Sequence, residues 1–521
     1  MNPTSGDPTA ADIQKLIASG NFADALQGID KLLAINPDNA DALYMAAVCY
    51  RYTKQYEQAQ DCLNALMSLP HDRGRIYQEQ GHLHVALNNP DKALAAFVNA
   101  CQLNPVLVAS WRSQYQILQA MNRPEDARQA QAQVQRVQAL PKALVAVTDL
   151  IAQGKLLKAE SLCRKFLQAN PTEVEGMRLL AELAAQFGVL EDAEYLLESA
   201  IEFEPGNSQV KIDYINILRR RQKFTKAFHA AKDLSSEQPR NPQFMSVYAI
   251  EAMQMGDYET ALALFDEVLA LLPGDAITLT SRGHALKTRG SQKEAIASYQ
   301  AAISSNPWHG DAYYALSNLK TYKFSSAEID AMLALEQREE LGPASKLHIA
   351  FALGKAFEDE HDYSRSFEFY TQGNRLKRQQ SNYDADQMAE ELANQRHYFT
   401  RDILESRAHA GCPAPDPIFI VGLPRAGSTL LEQILSSHSQ VDGTLELPNI
   451  LSTAQKLRRQ GRDDRDKPYP DLLQDFSAAQ LRSLGEQYIE DTRIHRQGAA
   501  FFIDKMPNNF RHIGLIKLIL P

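Results

Sequence analysis

Apolar residues recur at intervals of three and four over most of the first 380 positions, as in ALALFDEVLALLP at 261–273. That spacing puts them on one face of a helix and predicts amphipathic α-helices. The pattern is interrupted at a fixed interval. Prolines fall at Pro171, Pro205, Pro239, Pro273 and Pro307, each 34 residues after the last, and earlier ones at Pro37, Pro70, Pro105 and Pro141 are spaced 33, 35 and 36. Twelve residues before many of these prolines stands an alanine: Ala25, Ala93, Ala159, Ala193, Ala227, Ala261 and Ala295. Seventeen before there is often a glycine: Gly20, Gly154, Gly188, Gly256 and Gly290. Gly81 and Gly283 lie 24 before theirs, in a slot that Ala181 and Ala249 also occupy.

These marks predict a helix-turn-helix unit. A glycine or another turn former ends the first helix in a left-handed conformation. Small residues let the two helices approach closely, and proline stops the second helix for want of an amide donor. The segment Asn122–Pro141 departs, with Ala127 and Ala130 near but not at the alanine slot, which predicts a distorted unit. Residues 347–377 read as one further helical pair.

The period and its slots resemble the tetratricopeptide (TPR) repeat over about residues 10–310. The resemblance implies an all-α TPR superhelix, an α-solenoid. The expected organisation is an array of about nine repeats over 1–310, then further TPR-like helices and a connector over 311–410. Such an array performs no chemistry itself, and its concave surface docks a protein or peptide partner. The run Arg219–Arg221 falls at a turn and reads as solvated, or as an anchor for an acidic peptide.

Near residue 400 the helical period fails, and HAGCPAPDP at 409–417 reads as a linker. Ile418–Val421 then reads as a short buried parallel strand, GLPRAGST as a loop and Leu430–Ser437 as a helix. Strand, glycine-bounded loop and helix cradle phosphate or sulfate, because the loop amides and helix N-terminus point at the anion. The lysine that a nucleotide-binding P-loop carries after its second glycine is absent, and the cation is Arg425 inside the loop. That argues against a nucleotide kinase. Two more segments stand out. VDGTLELPNIL at 441–451 holds Glu446 among apolar residues. In AAFFIDKMPNNF at 499–510, Ala499–Ile503 reads as a second buried strand leading to Lys505. Ligands of open α/β sheets sit at the carboxyl ends of strands, so Lys505 and the 425–429 loop are expected to face one crevice.

FIVGLPRAGSTLLEQILSSH, GTLELP and DKMPNNF resemble the first half of a sulfotransferase domain dependent on 3′-phosphoadenosine 5′-phosphosulfate (PAPS), similar to protein-tyrosine sulfotransferases. The separations agree with the resemblance: Arg425 to Glu446 is 21 residues and Arg425 to Lys505 is 80. It implies a partial α/β, P-loop-like, three-layer domain over 411–521, the N-terminal half of the whole. The residues that hold the 3′-phosphate are expected past Pro521, so the chain reads as a fragment. It further implies that Arg425, Ala426, Gly427, Ser428 and Thr429 bind the phosphosulfate. Lys505 with Arg425 is to stabilise the leaving group, and Glu446 to act as base on an acceptor hydroxyl. PAPS is the expected co-substrate, without a metal. The acceptor is expected to be a protein or peptide, tyrosine-type, with glycans and small hydroxyl compounds as other possibilities.

Other readings of the same residues stay open. Glu446 could cap a helix begun near Pro448, Lys505 could pair with Asp504 or a neighbouring carboxylate, and Arg425 could be a solvated turn residue. His438 reads as a helix cap rather than a base, and the 456–467 run KLRRQGRDDRDK as a solvated loop or the border of an acceptor site. The chain as a whole could also be a non-catalytic scaffold with a truncated transferase tail.

Composition adds limits. The 521 residues are 44% hydrophobic and 23% charged, a globular balance. Net charge is −10, which disfavours a nucleic-acid partner. From Gly411 to Pro521 acidic and basic residues number 13 each, so the first 410 residues carry the whole excess. Five scattered cysteines without a CxxC pair read as reduced thiols of a cytoplasmic protein. The N-terminus shows no signal peptide, and no apolar run is long enough for a membrane span.

Overall fold

The computed structural model describes residues 9–67, 69, 72–319, 321–338, 341–381, 383–463 and 468–521. They fall into two compact units, one reaching to Leu179 and including Gln337–Gly342, the other comprising Leu180–Glu336 and Pro343–Pro521.

Nine helix pairs follow one another among the described residues from Ala10 to Ser305, and Pro343–Asp359 with Tyr363–Gln379 form another. The turn inside each pair has one chemistry. Its central residue is left-handed: Gly20, Lys54, Asn88, Asn122, Gly154, Gly188, Gln222, Gly256, Gly290 and His361 all have φ between 55° and 94°. The following amide reaches back to a carbonyl five residues earlier, as in Asn21 N to Leu16 O at 2.9 Å and Lys223 N to Leu218 O at 2.9 Å. That bond closes the orphaned end of the first helix. Glycine adopts this conformation freely, whereas a side chain there costs about 1–2 kcal/mol.

Five residues after each of the first nine turns stands the buried alanine, from Ala25 and Ala59 to Ala261 and Ala295, and Ser366 takes that place after His361. Counted from its turn at Asn122, Ala127 holds the same place and is 2% exposed. The unit predicted to be distorted is therefore regular at its turn and alanine. Its second helix, Pro124–Ala139, has 16 residues against 14 in the units before and after it, which displaces only the proline. The small residue on the first helix meets an aromatic ring of the second. A Cβ on Gly283 would lie 2.4 Å from Tyr299, one on Gly81 2.6 Å from Phe97, and one on Gly354 2.6 Å from Tyr370.

Of the run Arg219–Arg221 expected to be solvated, only Arg220 is exposed, and all three side chains are engaged. Arg219 Nη1 bonds Glu251 Oε1 at 2.8 Å, Arg220 Nη2 donates to the Ala185 carbonyl at 2.8 Å, and Arg221 Nη1 meets Glu194 Oε2 at 2.5 Å. Glu251 is fully buried, and burial pushes its carboxyl up to about 7 despite Arg219.

The C-terminal part of the second unit holds a parallel three-stranded sheet: β1 (Pro417–Phe419), β2 (Val441–Gly443) and β3 (Phe501–Asp504), in the order β1-β3-β2. Ile418 stands opposite Ile503, and Asp442 opposite Phe502. Strand β2 was not expected, and β1 is short and half-buried. Asp442 anchors the loop before β3, its Oδ2 accepting from the amides of Gln497, Gly498 and Ala499 at 2.7–3.1 Å. Ile450, Ala454 and Leu457 of helix Asn449–Asp463, Leu481 and Tyr488 of helix Ala478–Thr492, and Leu515, Leu518 and Ile519 of helix Ile513–Ile519 share one core with Phe502. Tyr398, from helix Ala385–Tyr398 upstream of the 409–417 segment, joins that core. That segment packs too: Cys412 is buried and its amide donates to the Ile519 carbonyl at 2.8 Å. The run from Lys456 is helical to Asp463 rather than a loop, and 464–467 lie outside the described residues.

Candidate functional site

The loop after β1 leads into helix Ser428–Ser436. Gly427, at φ 87°, caps this helix without a side-chain bond. The amides of the first turn have no partner inside the helix, which leaves them to water or an anion. The Ala426 amide is different, since it donates to the Leu423 carbonyl at 3.3 Å and closes the loop's own turn. Arg425 is left-handed at φ 68° and exposed. A non-glycine residue held this way stores strain of about 1–3 kcal/mol. Gly422 N donates to Pro507 O at 3.2 Å and ties the loop to the segment after β3.

The loop opens into a cavity of about 450 Å³ lined by Pro424, Arg425, Gly427, Ser428, Thr429, Glu446, Met506, Pro507 and Asn508. The structure thus brings the loop residues and Glu446 together. Lys505 stands behind the lining. Its side chain is 10% exposed, with Nζ 2.8 Å from Glu446 Oε1 and 3.9 Å from Glu432 Oε2. Glu446 is about half exposed, and Lys505 pairs with it and with Glu432 rather than with Asp504.

Asp504 has its own set of donors. Tyr488 Oη donates to its Oδ2 at 2.9 Å, Asn509 Nδ2 to the same oxygen at 3.3 Å and the Met506 amide to Oδ1 at 3.2 Å. Burial nevertheless pushes this carboxyl up to about 7. Burial also raises Glu432, with Lys505 opposing and Glu446 reinforcing the shift. Glu432 was not foreseen as part of the site, and its one sequence signal is a charged residue on the face of a helix that packs on β2. His438 follows that helix, and its Nδ1 accepts from the Gln440 amide at 3.2 Å, a local turn contact rather than a cap on the helix carbonyls. Among the described residues no cluster of three or more His, Cys, Asp or Glu is placed to hold a metal ion. None of their helices is long and apolar enough to cross a membrane.

Comparison with known proteins agrees with both parts. Residues 417–521 match the sulfotransferase family. Residues 16–79, 74–106 and 276–307 match tetratricopeptide repeats, and 161–278 match the TPR domain of cytochrome c-type biogenesis protein H. An uncharacterised protein of Aquifex aeolicus is 27% identical over 300 residues, which are 56% of this chain and 38% of that protein. This chain thus spans well under half the length of that relative. A tetratricopeptide repeat protein from Parabacteroides merdae is 12% identical, covering 60% of this chain and 95% of its own at a TM-score of 0.32. MamA is 17% identical over 31% of this chain and 94% of its own, at a TM-score of 0.28. The chain thus carries tetratricopeptide repeats, followed by residues 417–521 that match the sulfotransferase family.

Proposed function

We propose that this protein moves a sulfuryl group from PAPS to an acceptor hydroxyl. The observation that carries the reading is the sharing of one cavity by Arg425, an uncapped helix N-terminus and Glu446, with Lys505 against Glu446. The cation and the first-turn amides suit a doubly anionic phosphosulfate end, and the Ser428 and Thr429 hydroxyls add donors beside them. Gly427, Ser428 and Thr429 are the binding residues. Ala426 shapes the turn instead, its amide already engaged.

In the reaction the acceptor oxygen forms a bond to sulfur while the bond from sulfur to the phosphate oxygen breaks. Glu446 takes the hydroxyl proton, a role worth about 10²–10⁴-fold for a placed base. Arg425 and Lys505 meet the charge that develops on the departing phosphate.

The acceptor is a protein or peptide hydroxyl, tyrosine-type, docked on the concave face of the repeats, and the attached array supports that choice. A cytoplasmic setting is consistent with five free cysteines, four of them buried. The test is transfer of radiolabelled sulfate from PAPS by the full-length protein to a tyrosine peptide library. Glu446→Gln is expected to lower turnover by about 10²-fold or more. Transfer by this variant at the wild-type rate would sink the base assignment.

A further inference from the structure

Residues 446–459 lie across two consecutive repeat turns of their own unit. At the turn of Gly188, the following helix Leu190–Phe203 presents Glu191 and Asp192. Ser452 Oγ donates to Glu191, Lys456 Nζ is 3.4 Å from Glu191 Oε2, and Arg459 Nη1 is 3.8 Å from Asp192 Oδ2. At the next turn Gln222 Nε2 donates to the backbone carbonyl of Glu446 at 2.7 Å. One turn holds the helix that follows Glu446, and the other holds Glu446 itself.

Gln222 occupies the left-handed position of its turn, at φ 58°, where Gly188 and Gly256 stand in the units before and after it. Lys54, Asn88 and Asn122 show that the slot accepts other residues, so the bond to Glu446 and not the dihedral angle is the telling feature. Glycine would serve the turn at least as well, but only a side chain reaches the carbonyl.

We infer that Gln222 is a positioning residue for Glu446, resting on the sulfotransfer reading above. By holding the Glu446 backbone, its amide fixes where the carboxylate meets Lys505 and the cavity. The array then builds part of the site as well as docking a partner, and repeat turns 188 and 222 are the surface on which the transferase segment is set.

Two variants of the full-length protein test this. Gln222→Gly deletes the amide and relaxes the left-handed turn. Gln222→Glu keeps the shape and replaces the donor with an acceptor. A purely structural residue predicts that the glycine variant is at least as resistant to urea as wild type and equally active. Positioning predicts the same resistance, faster amide exchange in 444–450, and a kcat lowered about 10-fold to 100-fold in both variants. KM for PAPS is then expected to stay within about twofold, since the anion-binding loop is untouched. Wild-type turnover in both variants overturns the assignment, whatever the exchange shows. If wild type itself transfers no sulfate while exchange in 444–450 still rises in both variants, the sulfotransfer reading fails and the hold of Gln222 on Glu446 stands.

Discussion

Replacing Lys505 by methionine keeps most of the stem and removes the ammonium from between two carboxylates. The nearer, Glu446, is about half exposed, so solvent screens that pair to about 0–1 kcal/mol. Glu432 is 6% exposed with its oxygen 3.9 Å from Nζ, where unit charges attract by about 4 kcal/mol at an effective dielectric constant near 20. Relief from desolvating the ammonium offsets part of this, leaving an expected loss of about 1–3 kcal/mol at neutral pH. The pH dependence gives the sharper test. Glu432 already titrates above the ordinary carboxylate range because it is buried, and loss of Lys505 raises it further. A carboxyl whose pKa rises on folding lends its full stability below its unfolded pKa and loses it as pH climbs through the folded pKa. The variant should come nearest to wild type in acid, where Glu432 holds its proton, and fall increasingly behind as rising pH removes that proton. Urea midpoints by far-ultraviolet circular dichroism across that rise in pH are the assay, and adding Glu432→Gln should restore much of the loss at the alkaline end. A deficit of equal size at every pH, or a double variant no better than the single, would refute the argument.

Arg221→Ala removes one of three cations at buried Glu194, leaving Lys223 and Lys226, and leaves Lys456 at Glu191, so it should cost about 1–3 kcal/mol in urea unfolding, whereas Arg128→Ala, in an exposed pair, should stay within about 0.5 kcal/mol. Gly283→Ala drives a methyl to 2.4 Å from the Tyr299 ring and should lower stability by about 1–3 kcal/mol, an effect that Tyr299→Leu should lessen. Asp504 binds a proton on folding because its pKa is raised to about 7, so its contribution is present in acid and lost as pH rises through that value. Asp504→Asn should flatten the slope of urea midpoint against pH between about 4 and 7, and an unchanged slope would show that another group sets it.

The array was readable because its signals are local. A left-handed turn, an alanine five residues on and a proline after the second helix each act within one unit. The misreading at Asn122–Pro141 came from counting back from the proline, which moves when the second helix lengthens, instead of forward from the turn, which does not. Arg219–Arg221 looked solvated because its partners Glu194 and Glu251 lie about a repeat away in either direction. In the C-terminal part, Arg425, Ser428, Thr429 and Glu446 were legible from a loop and a spacing, and the fold gathers them. Strand β2 was hidden in three residues, Val441, Asp442 and Gly443, two of which disfavour strands. Helix Asn449–Asp463 buries Ile450, Ala454 and Leu457 at helical spacing, but its charged second half masked that stripe. Gln222 carried no signal, since a repeat turn reveals nothing about a carbonyl on a different fold.

The strand order also sets a timetable. Of the three strands among the described residues, β3 comes last in sequence yet stands in the centre, the partner of both β1 and β2. Helix pairs can close while their neighbours are still being synthesised, because each needs only residues close by. No part of the sheet can form until Phe501–Asp504 has left the ribosome, so Pro417–Phe419 and Val441–Gly443 wait with unpaired edges. The repeats that carry Gly188 and Gln222 precede them in the chain, and a solid surface is then already in place to receive residues 446–459 while the sheet is incomplete.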